Sequence, residues 1–111
     1  MLYSTRGNMG NKEFNKLILK PLKAYRPEKV VLFGSCARGD INENSDVDLL
    51  IVKNTKRKFL NRIEDVLNLF DPKLHIEPIV YTPCELQNMI KRRNDFILTV
   101  LREGKTIYEK Q

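Results

Sequence analysis

The pattern of apolar and polar positions predicts that the first element of the chain is a helix. Between Asn11 and Tyr25, apolar residues recur at spacings of three and four, which is typical of an amphipathic helix. Pro21 lies inside this pattern, and proline removes a backbone donor and clashes with the preceding turn. We therefore expect a kink at Pro21 or two short helices that meet there. Arg26-Pro27 ends the helix, because the residue before a proline is disfavoured in the α region.

The predicted strands differ in how their apolar residues are arranged. Residues 29–33 are largely apolar without alternation, as expected of a central strand that is covered on both faces, and residues 46–52 form a second predicted strand. Residues 74–81 form a third apolar run, in which Pro78 cannot donate to a β-ladder and so favours an edge position or a bulge. Residues 105–108 alternate as a short last strand does.

Three further helices are predicted from their start and stop signals. Thr55 is a candidate N-cap for a helix whose apolar stripe ends before residues 71–72, Asp-Pro. Residues 82–85, Thr-Pro-Cys-Glu, combine an N-cap, a proline in the first turn and a capping-box glutamate. Asn94 caps a last helix, which Gly104 closes. The predicted order is therefore α, β, β, α, β, α, α, β.

Length and composition place the chain among ordinary globular proteins. At 111 residues, with 41% hydrophobic and 31% charged residues, we expect residues 1–111 to form a single domain whose first ten residues are flexible. No apolar run approaches the roughly 20 residues of a membrane-spanning helix, and the N-terminus lacks a secretory signal, so we expect a cytoplasmic protein that does not engage a membrane. Cys36 and Cys84 have no metal-site or disulfide pattern around them and are interpreted as incidental. The net charge of +6 favours polyanionic partners, namely nucleotides, nucleic acid or an acidic protein surface.

Asp46 and Asp48 carry the clearest chemical signal. On a strand, a spacing of two places both side chains on one face and Val47 on the other. Two neighbouring carboxylates repel each other and raise a pKa, so a divalent cation is their natural compensation. Oxygen ligands suit Mg²⁺, and the pair is therefore a candidate magnesium site.

Gly34 and Ser35 stop the first buried strand, where a turn can present backbone N–H groups and a hydroxyl to an anion. Arg38 either adds a cationic fork for phosphate oxygens or pairs with Asp40 or Glu43 and orders the loop. A phosphate-binding turn beside a metal-binding pair is the arrangement that phosphoryl or nucleotidyl transfer requires.

These residues resemble a known signature. Leu-Phe-Gly-Ser-Cys-Ala-Arg-Gly at 32–39, followed by Ser-Asp-Val-Asp-Leu at 45–49, resembles that of the polymerase-beta-like nucleotidyltransferase superfamily. Chain length and the pattern over residues 94–108 look like the minimal nucleotidyltransferases, and the resemblance covers the chain from about residue 11. It implies an α/β (α+β) fold, with a mixed central β-sheet of about three to four strands flanked by helices. It also implies that Gly34, Ser35, Arg38 and Ser45 bind the nucleotide.

The resemblance further implies a two-metal site. Two Mg²⁺ ions would be held by Asp46, Asp48 and a third carboxylate, for which Glu77 is the candidate. The family often has aspartate there, and the longer glutamate leaves three roles open: bridging a metal, activating the acceptor hydroxyl, or neither. Glu77 could also be an exposed strand residue that pairs with a lysine. His75, the only histidine, is interpreted as structural, because no second ligand accompanies it at metal spacing.

Minimal nucleotidyltransferases are often antitoxins that add AMP to a tyrosine of a helical HEPN-domain ribonuclease toxin. The leading prediction is therefore Mg²⁺-dependent transfer of AMP from ATP to an acceptor hydroxyl, a tyrosine of a separately encoded HEPN partner. One alternative is a catalytically weak nucleotide-binding module that neutralises a partner by complex formation. Another is a small-molecule, aminoglycoside-like nucleotidyltransferase, for which a homo-oligomer could build the acceptor pocket. Nucleic acid is not expected to be the primary acceptor.

Overall fold

The computed structural model describes residues 11–39 and 46–111, so the predicted flexibility of residues 1–10 lies outside the described residues. The predicted order of helices and strands is confirmed. In chain order the elements are α1 (Asn11–Leu22), β1 (Lys29–Phe33), β2 (Val47–Val52), α2 (Phe59–Leu67), β3 (Ile76–Tyr81), α3 (Pro83–Lys91), α4 (Asp95–Glu103) and β4 (Lys105–Glu109), with short 3₁₀ helices at Lys23–Tyr25 and Gly34–Arg38.

The four strands form one mixed sheet in the order β3-β2-β1-β4. Strand β1 pairs antiparallel with both β2 and β4, whereas β2 and β3 pair in parallel. Pro78 lies in β3, an edge strand, as its missing N–H group predicts. The α/β class with a mixed, helix-flanked sheet is thereby confirmed.

Helices cover both faces of the sheet. Buried residues of α1 and α2, among them Ile18 and Val66, pack against one face of β1 and β2. Leu86 of α3 together with Ile97 and Val100 of α4 packs against the other face. The middle strands are buried on both sides, which explains why their sequences are nearly continuous apolar runs. No helix in residues 11–39 and 46–111 is long and apolar enough to cross a bilayer, and the cytoplasmic location stays a prediction.

The prediction for Pro21 is confirmed, because α1 ends one residue after it and a short 3₁₀ helix, Lys23–Tyr25, follows directly. One local prediction was wrong. Thr55 does not cap α2, whose N-cap is Lys58 with no side-chain hydrogen bond. The Thr55 hydroxyl instead accepts a hydrogen bond from the backbone N–H of Arg57 at 3.0 Å, so it closes a local turn before the helix.

The other two predicted helix starts are confirmed. Thr82 accepts a hydrogen bond from the backbone N–H of Glu85, and the Glu85 carboxylate accepts one from the N–H of Thr82. Asn94 accepts a hydrogen bond from the backbone N–H of Ile97 at the start of α4.

Candidate active site

The mixed sheet brings three chain segments together where β1 ends and β2 and β3 begin, which we call the carboxylate edge. Because β1 and β2 are antiparallel, Phe33 at the end of β1 pairs with Asp48 near the start of β2. Because β2 and β3 are parallel, Asp48 also lies directly opposite Glu77 near the start of β3. The Gly34 turn, Asp48 and Glu77 are therefore neighbours, although they are far apart in sequence.

Asp46 and Asp48 lie on either side of a buried residue. The side chain of Val47 is only 4% exposed and packs in the core beneath α1 and α2. Asp46 is exposed and Asp48 is partly buried, so the alternation expected of a strand directs both carboxylates away from that core. Glu77 is exposed as well, and its register with Asp48 places the two side chains on the same face of the sheet.

Gly34 is required at this edge for two separate reasons. Its φ of +75° lies in the left-handed region, which residues with a Cβ rarely adopt. A Cβ at this position would also lie only 2.2 Å from Oδ2 of Asp48. The Asp48 carboxylate thus occupies the space that the missing side chain leaves free.

Cys36 attaches the turn to the second strand. It is buried in the 3₁₀ helix, and its thiol donates a hydrogen bond to the backbone carbonyl of Asp46 at 3.3 Å. The interpretation of Cys36 as incidental is therefore wrong, because the residue positions the backbone that carries the first carboxylate. In the sequence, the one indication that Cys36 could have a positioning role is that it directly follows the Gly34-Ser35 turn.

The carboxylates at this edge repel one another. Partial burial, reinforced by the charge of Asp46, raises the pKa of Asp48, and hydrogen bonding to Glu77 offsets part of this rise. The charge of Asp46 is also the main reason that the pKa of Glu77 is raised, with contributions from desolvation and from Asp48. The structure therefore concentrates negative charge where the strands begin.

Little positive charge within the described residues compensates this cluster. The one ion-pair contact of the three carboxylates within residues 11–39 and 46–111 is from Nδ1 of His75 to Oδ1 of Asp46, at 3.8 Å. Both side chains are more than half exposed, so the contact is weak. The alternative in which Glu77 pairs with a lysine is not seen in this part of the chain. His75 has in addition a structural contact, since its backbone carbonyl accepts the N–H of Val47 at 2.7 Å.

The chemistry of this donor set fits a divalent cation. In the described parts of the chain, no three His, Cys, Asp or Glu side chains are arranged closely enough to form a ready-made metal site. The three carboxylates nevertheless offer only oxygen donors, and their mutual repulsion would be relieved by a cation. Asp46, Asp48 and Glu77 are thus the residues that would hold Mg²⁺.

The structure describes some of the other residues that were predicted to bind the nucleotide. Ser35 is partly buried in the 3₁₀ turn, and Arg38 at its end is exposed. Gly39 closes the turn with a φ of +94°, and its N–H donates to the carbonyl of Cys36 at 3.2 Å. Ser45 lies outside the described residues, as do the two acidic residues proposed to pair with Arg38.

An aromatic pair that the sequence did not single out lies beside the carboxylates. The rings of Phe33 and Phe96 meet edge to face, with centroids 5.8 Å apart. Phe33 pairs with Asp48 in the sheet, so the start of α4 borders the candidate site. Phe96 is 45% exposed and thus presents an apolar surface next to the charged cluster.

Comparisons with known proteins point to one family. The family model described as "Polymerase beta, Nucleotidyltransferase" matches residues 16–111. Three proteins of Methanocaldococcus jannaschii, each described as a proposed protein adenylyltransferase, are 36%, 40% and 39% identical to the chain over 87, 74 and 92 residues. The matches cover 73%, 63% and 81% of this chain, and 58%, 74% and 87% of the three relatives. The chain therefore spans little more than half the length of the first relative.

A solved structure supports the fold. The crystal structure of a proposed nucleotidyltransferase from Sulfolobus solfataricus superposes with a TM-score of 0.56. The alignment covers 89% of this chain and 79% of that one, at 20% sequence identity. At this identity the similarity concerns the architecture of the sheet and its helices, and the site must be argued from the residues themselves.

Proposed function

Because the chain belongs to the polymerase beta nucleotidyltransferase family, we propose that it is a nucleotidyltransferase that transfers AMP from ATP to a hydroxyl group of another protein. The observation that carries the proposal is the contact between the Gly34 turn and the Asp48 carboxylate, with Glu77 directly opposite in the sheet. One triphosphate can reach both the turn and the carboxylates only if the two are this close.

Each residue of the site has a role in the proposed reaction. The turn at Gly34 and Ser35 holds the phosphates, with Arg38 as a further cationic contact. Asp46, Asp48 and Glu77 would hold Mg²⁺, which would neutralise charge on the triphosphate and lower the pKa of the attacking hydroxyl. The acceptor oxygen forms a bond to the α-phosphorus, the bond from that phosphorus to the bridging oxygen breaks, and pyrophosphate leaves.

The hydroxyl proton must also be removed. Glu77 is exposed and lies at the open edge of the sheet, where it is the carboxylate that an incoming acceptor can approach. As a carboxylate it can accept the proton directly or orient the hydroxyl. The pKa of Glu77 is raised chiefly by the charge of Asp46, so neutralising that charge would lower the pKa of Glu77 toward its ordinary value.

A protein acceptor is supported by two observations. The relatives from Methanocaldococcus jannaschii carry descriptions as proposed protein adenylyltransferases. Phe96 is exposed beside the carboxylates, and exposed aromatic residues are enriched where proteins bind one another. From the resemblance to minimal nucleotidyltransferases, we propose further that the acceptor is a tyrosine of a HEPN-type partner, which the modification neutralises.

The proposal is tested by following label from ATP. The purified chain is mixed with α-³²P-labelled ATP, Mg²⁺ and a candidate HEPN-domain partner. The proteins are then separated by gel electrophoresis, and the label is detected by autoradiography. We expect label on the partner that depends on Mg²⁺ and falls at least about 10²-fold in Asp48→Asn. The matched control is Glu64→Gln, which neutralises an exposed carboxylate on α2 away from the site and should retain full transfer. Label transfer that persists in Asp48→Asn would refute the assignment.

A second candidate is a binding module that neutralises its partner without catalysis, for which the exposed ring of Phe96 beside the carboxylates would provide contact surface. The double variant Asp46→Asn, Asp48→Asn separates the two functions. A catalytic antitoxin loses neutralisation with these substitutions, whereas a masking module retains it.

A further inference from the structure

A cavity lies at the end of the sheet opposite to the carboxylates. It has a volume of about 370 Å³ and is bordered by the end of α1, the segment before β1 and the end of β4. Strand β1 leads from Pro27 at this cavity to Gly34 at the candidate active site, which at about 3.3 Å per residue separates the two by roughly 20 Å. One mononucleotide cannot contact both places, so this cavity is distinct from the nucleotidyltransferase site.

The walls of the cavity are largely apolar. Leu19 and Leu22 of α1 and the buried Pro27 contribute aliphatic surface. Tyr108 of β4 adds an aromatic ring and is 39% exposed. Aromatic rings favour offset or edge-to-face contact with other flat rings. The cavity volume lies near the lower end of the range of about 300–1,000 Å³ typical of small-molecule sites, which suits a ligand of about one nucleotide.

The polar groups that line the cavity are predominantly cationic. Lys23, Arg26 and Lys110 all contribute to its lining, and no acidic residue among the described ones does. Lys23 and Arg26 form no ion pair within residues 11–39 and 46–111. Lys110 lies 4.0 Å from the carboxylate of Glu28, at the outer limit of an ion pair, and both side chains are more than one third exposed. Three positive side chains around an apolar cavity favour an anion.

The backbone at Arg26 adds an independent observation. Arg26 has φ 58° and ψ 56°, in the left-handed region that is unfavourable for residues with a Cβ. Glycine adopts this conformation without strain, yet the position carries a long cationic side chain at the rim of the cavity. Strained positions cluster at ligand-binding sites. Arg93 has the same φ and does not line this cavity, so the backbone at Arg26 supports a ligand site only together with the shape and charge of the cavity.

We propose that this cavity binds a small organic phosphate that carries a flat ring, the chemistry of a nucleoside monophosphate. The ring packs against Tyr108 and the leucines, and the phosphate is bound by Lys23, Arg26 and Lys110. The proposal does not depend on the transfer reaction, because none of these residues lies at the carboxylate edge.

The test is a titration of the full chain with AMP, followed by ¹H–¹⁵N NMR in buffer containing EDTA and no Mg²⁺. We expect saturable shifts of backbone amides at residues 23–26 and 108–110, with none of comparable size at Gly34 or Asp48. Arg26→Gly retains the left-handed backbone, and Lys110→Gln changes an exposed side chain after the last strand. Each should weaken AMP binding by roughly tenfold. Lys20→Gln, an exposed lysine of α1 that does not line the cavity, is the matched control.

Several results would overturn the proposal. Shifts confined to the carboxylate edge, or the absence of saturable shifts, would show that the cavity takes no such ligand. Equal affinity for AMP and adenosine would show that the cations do not bind the phosphate. Equal affinity for AMP and inorganic phosphate would show that the ring does not contribute to binding. Unchanged binding by both Arg26→Gly and Lys110→Gln, with spectra that show a folded chain, would exclude these residues as phosphate ligands.

Discussion

Replacing Gly34 by alanine tests the contact on which the active-site assignment depends, and the chain provides a matched control. Gly34 and Gly39 begin and close the same turn, and both have φ in the left-handed region, at +75° and +94°. A Cβ on Gly34 would meet the Asp48 carboxylate, whereas a Cβ on Gly39 would have no heavy atom within 4 Å among the described residues. The two substitutions therefore impose the same kind of backbone strain, but only one of them disturbs a carboxylate.

The structure gives the expected size of both effects. An alanine in the left-handed region costs about 1–2 kcal/mol, which in a domain of this size lowers Tm by about 5–15 °C. In Gly34→Ala the Oδ2 atom of Asp48 must also move by about 1.2 Å, the difference between 2.2 Å and the 3.4 Å at which ordinary contact begins. A terminal carboxylate can rotate by this distance with little further loss of stability. A displacement of about 1 Å in a catalytic group, however, can lower the rate about 10²-fold.

The measurement combines thermal unfolding with transfer of label from ATP. Both variants should unfold at similarly reduced temperatures, and rates are compared well below the lower Tm so that all of the protein is folded. We expect Gly34→Ala to lose about 10²-fold in transfer and Gly39→Ala to stay within a few-fold of wild type. Equal losses in the two variants would mean that strain in the turn, and not the position of Asp48, controls activity. Full transfer activity in Gly34→Ala would show that the position of the Asp48 carboxylate does not control the reaction.

Three further outcomes follow from other contacts. Gly104→Ala should lower the free energy of unfolding by about 1–3 kcal/mol without a loss of specific activity, because the added Cβ would lie 2.5 Å from a backbone carbonyl of α4. Chemical denaturation measures this change in the free energy of unfolding. The hydrogen bonds from Arg62 lower the pKa of Glu85, so the stability that they confer is present above the ordinary pKa of about 4.5 and is lost as the pH falls through the lowered pKa. Glu85→Gln should therefore flatten the dependence of the unfolding free energy on acid pH. An unchanged dependence would contradict the pairing of Arg62 with Glu85. Asp46→Asn should lower the pKa of Glu77 in Mg²⁺-free protein, as followed by carboxyl-carbon NMR, whereas an unchanged pKa would mean that desolvation and Asp48, and not Asp46, raise it.

The features that sequence could predict are those that depend on local geometry. The central strands were recognisable because burial on both faces requires a continuous apolar run. The capping box at Thr82 and Glu85 satisfies backbone donors within one turn, so three residues of spacing are enough to identify it. Pro78 indicated an edge position or a bulge because a missing N–H group is tolerated at such places, and β3 is an edge strand.

The features that escaped prediction depend on which distant segment a residue meets. Thr55 has the side chain of an N-cap, but its hydroxyl is engaged with Arg57 before the helix begins. Cys36 has no local pattern, and its role arises because the 3₁₀ turn packs against the carbonyl of Asp46 ten residues later. Phe96 has the spacing of a core residue, yet its contact with Phe33 leaves it at the border of the site.

The position of Glu77, the third carboxylate, depends on the topology of the sheet and not on local sequence spacing. A spacing of two explains why Asp46 and Asp48 share a face, but it says nothing about Glu77. Helix α2 carries the chain from the end of β2 back to the edge where β2 began, and such a crossover makes β3 parallel to β2. Both strands therefore start at the edge where β1 ends. Because side chains alternate along a strand, a slip of one residue would place Ile76 or Pro78 opposite Asp48 and turn the carboxylate of Glu77 to the other face. The site thus depends on the register of an edge strand, which core packing of Ile76 and Val80 beneath α1 and α2 holds in place.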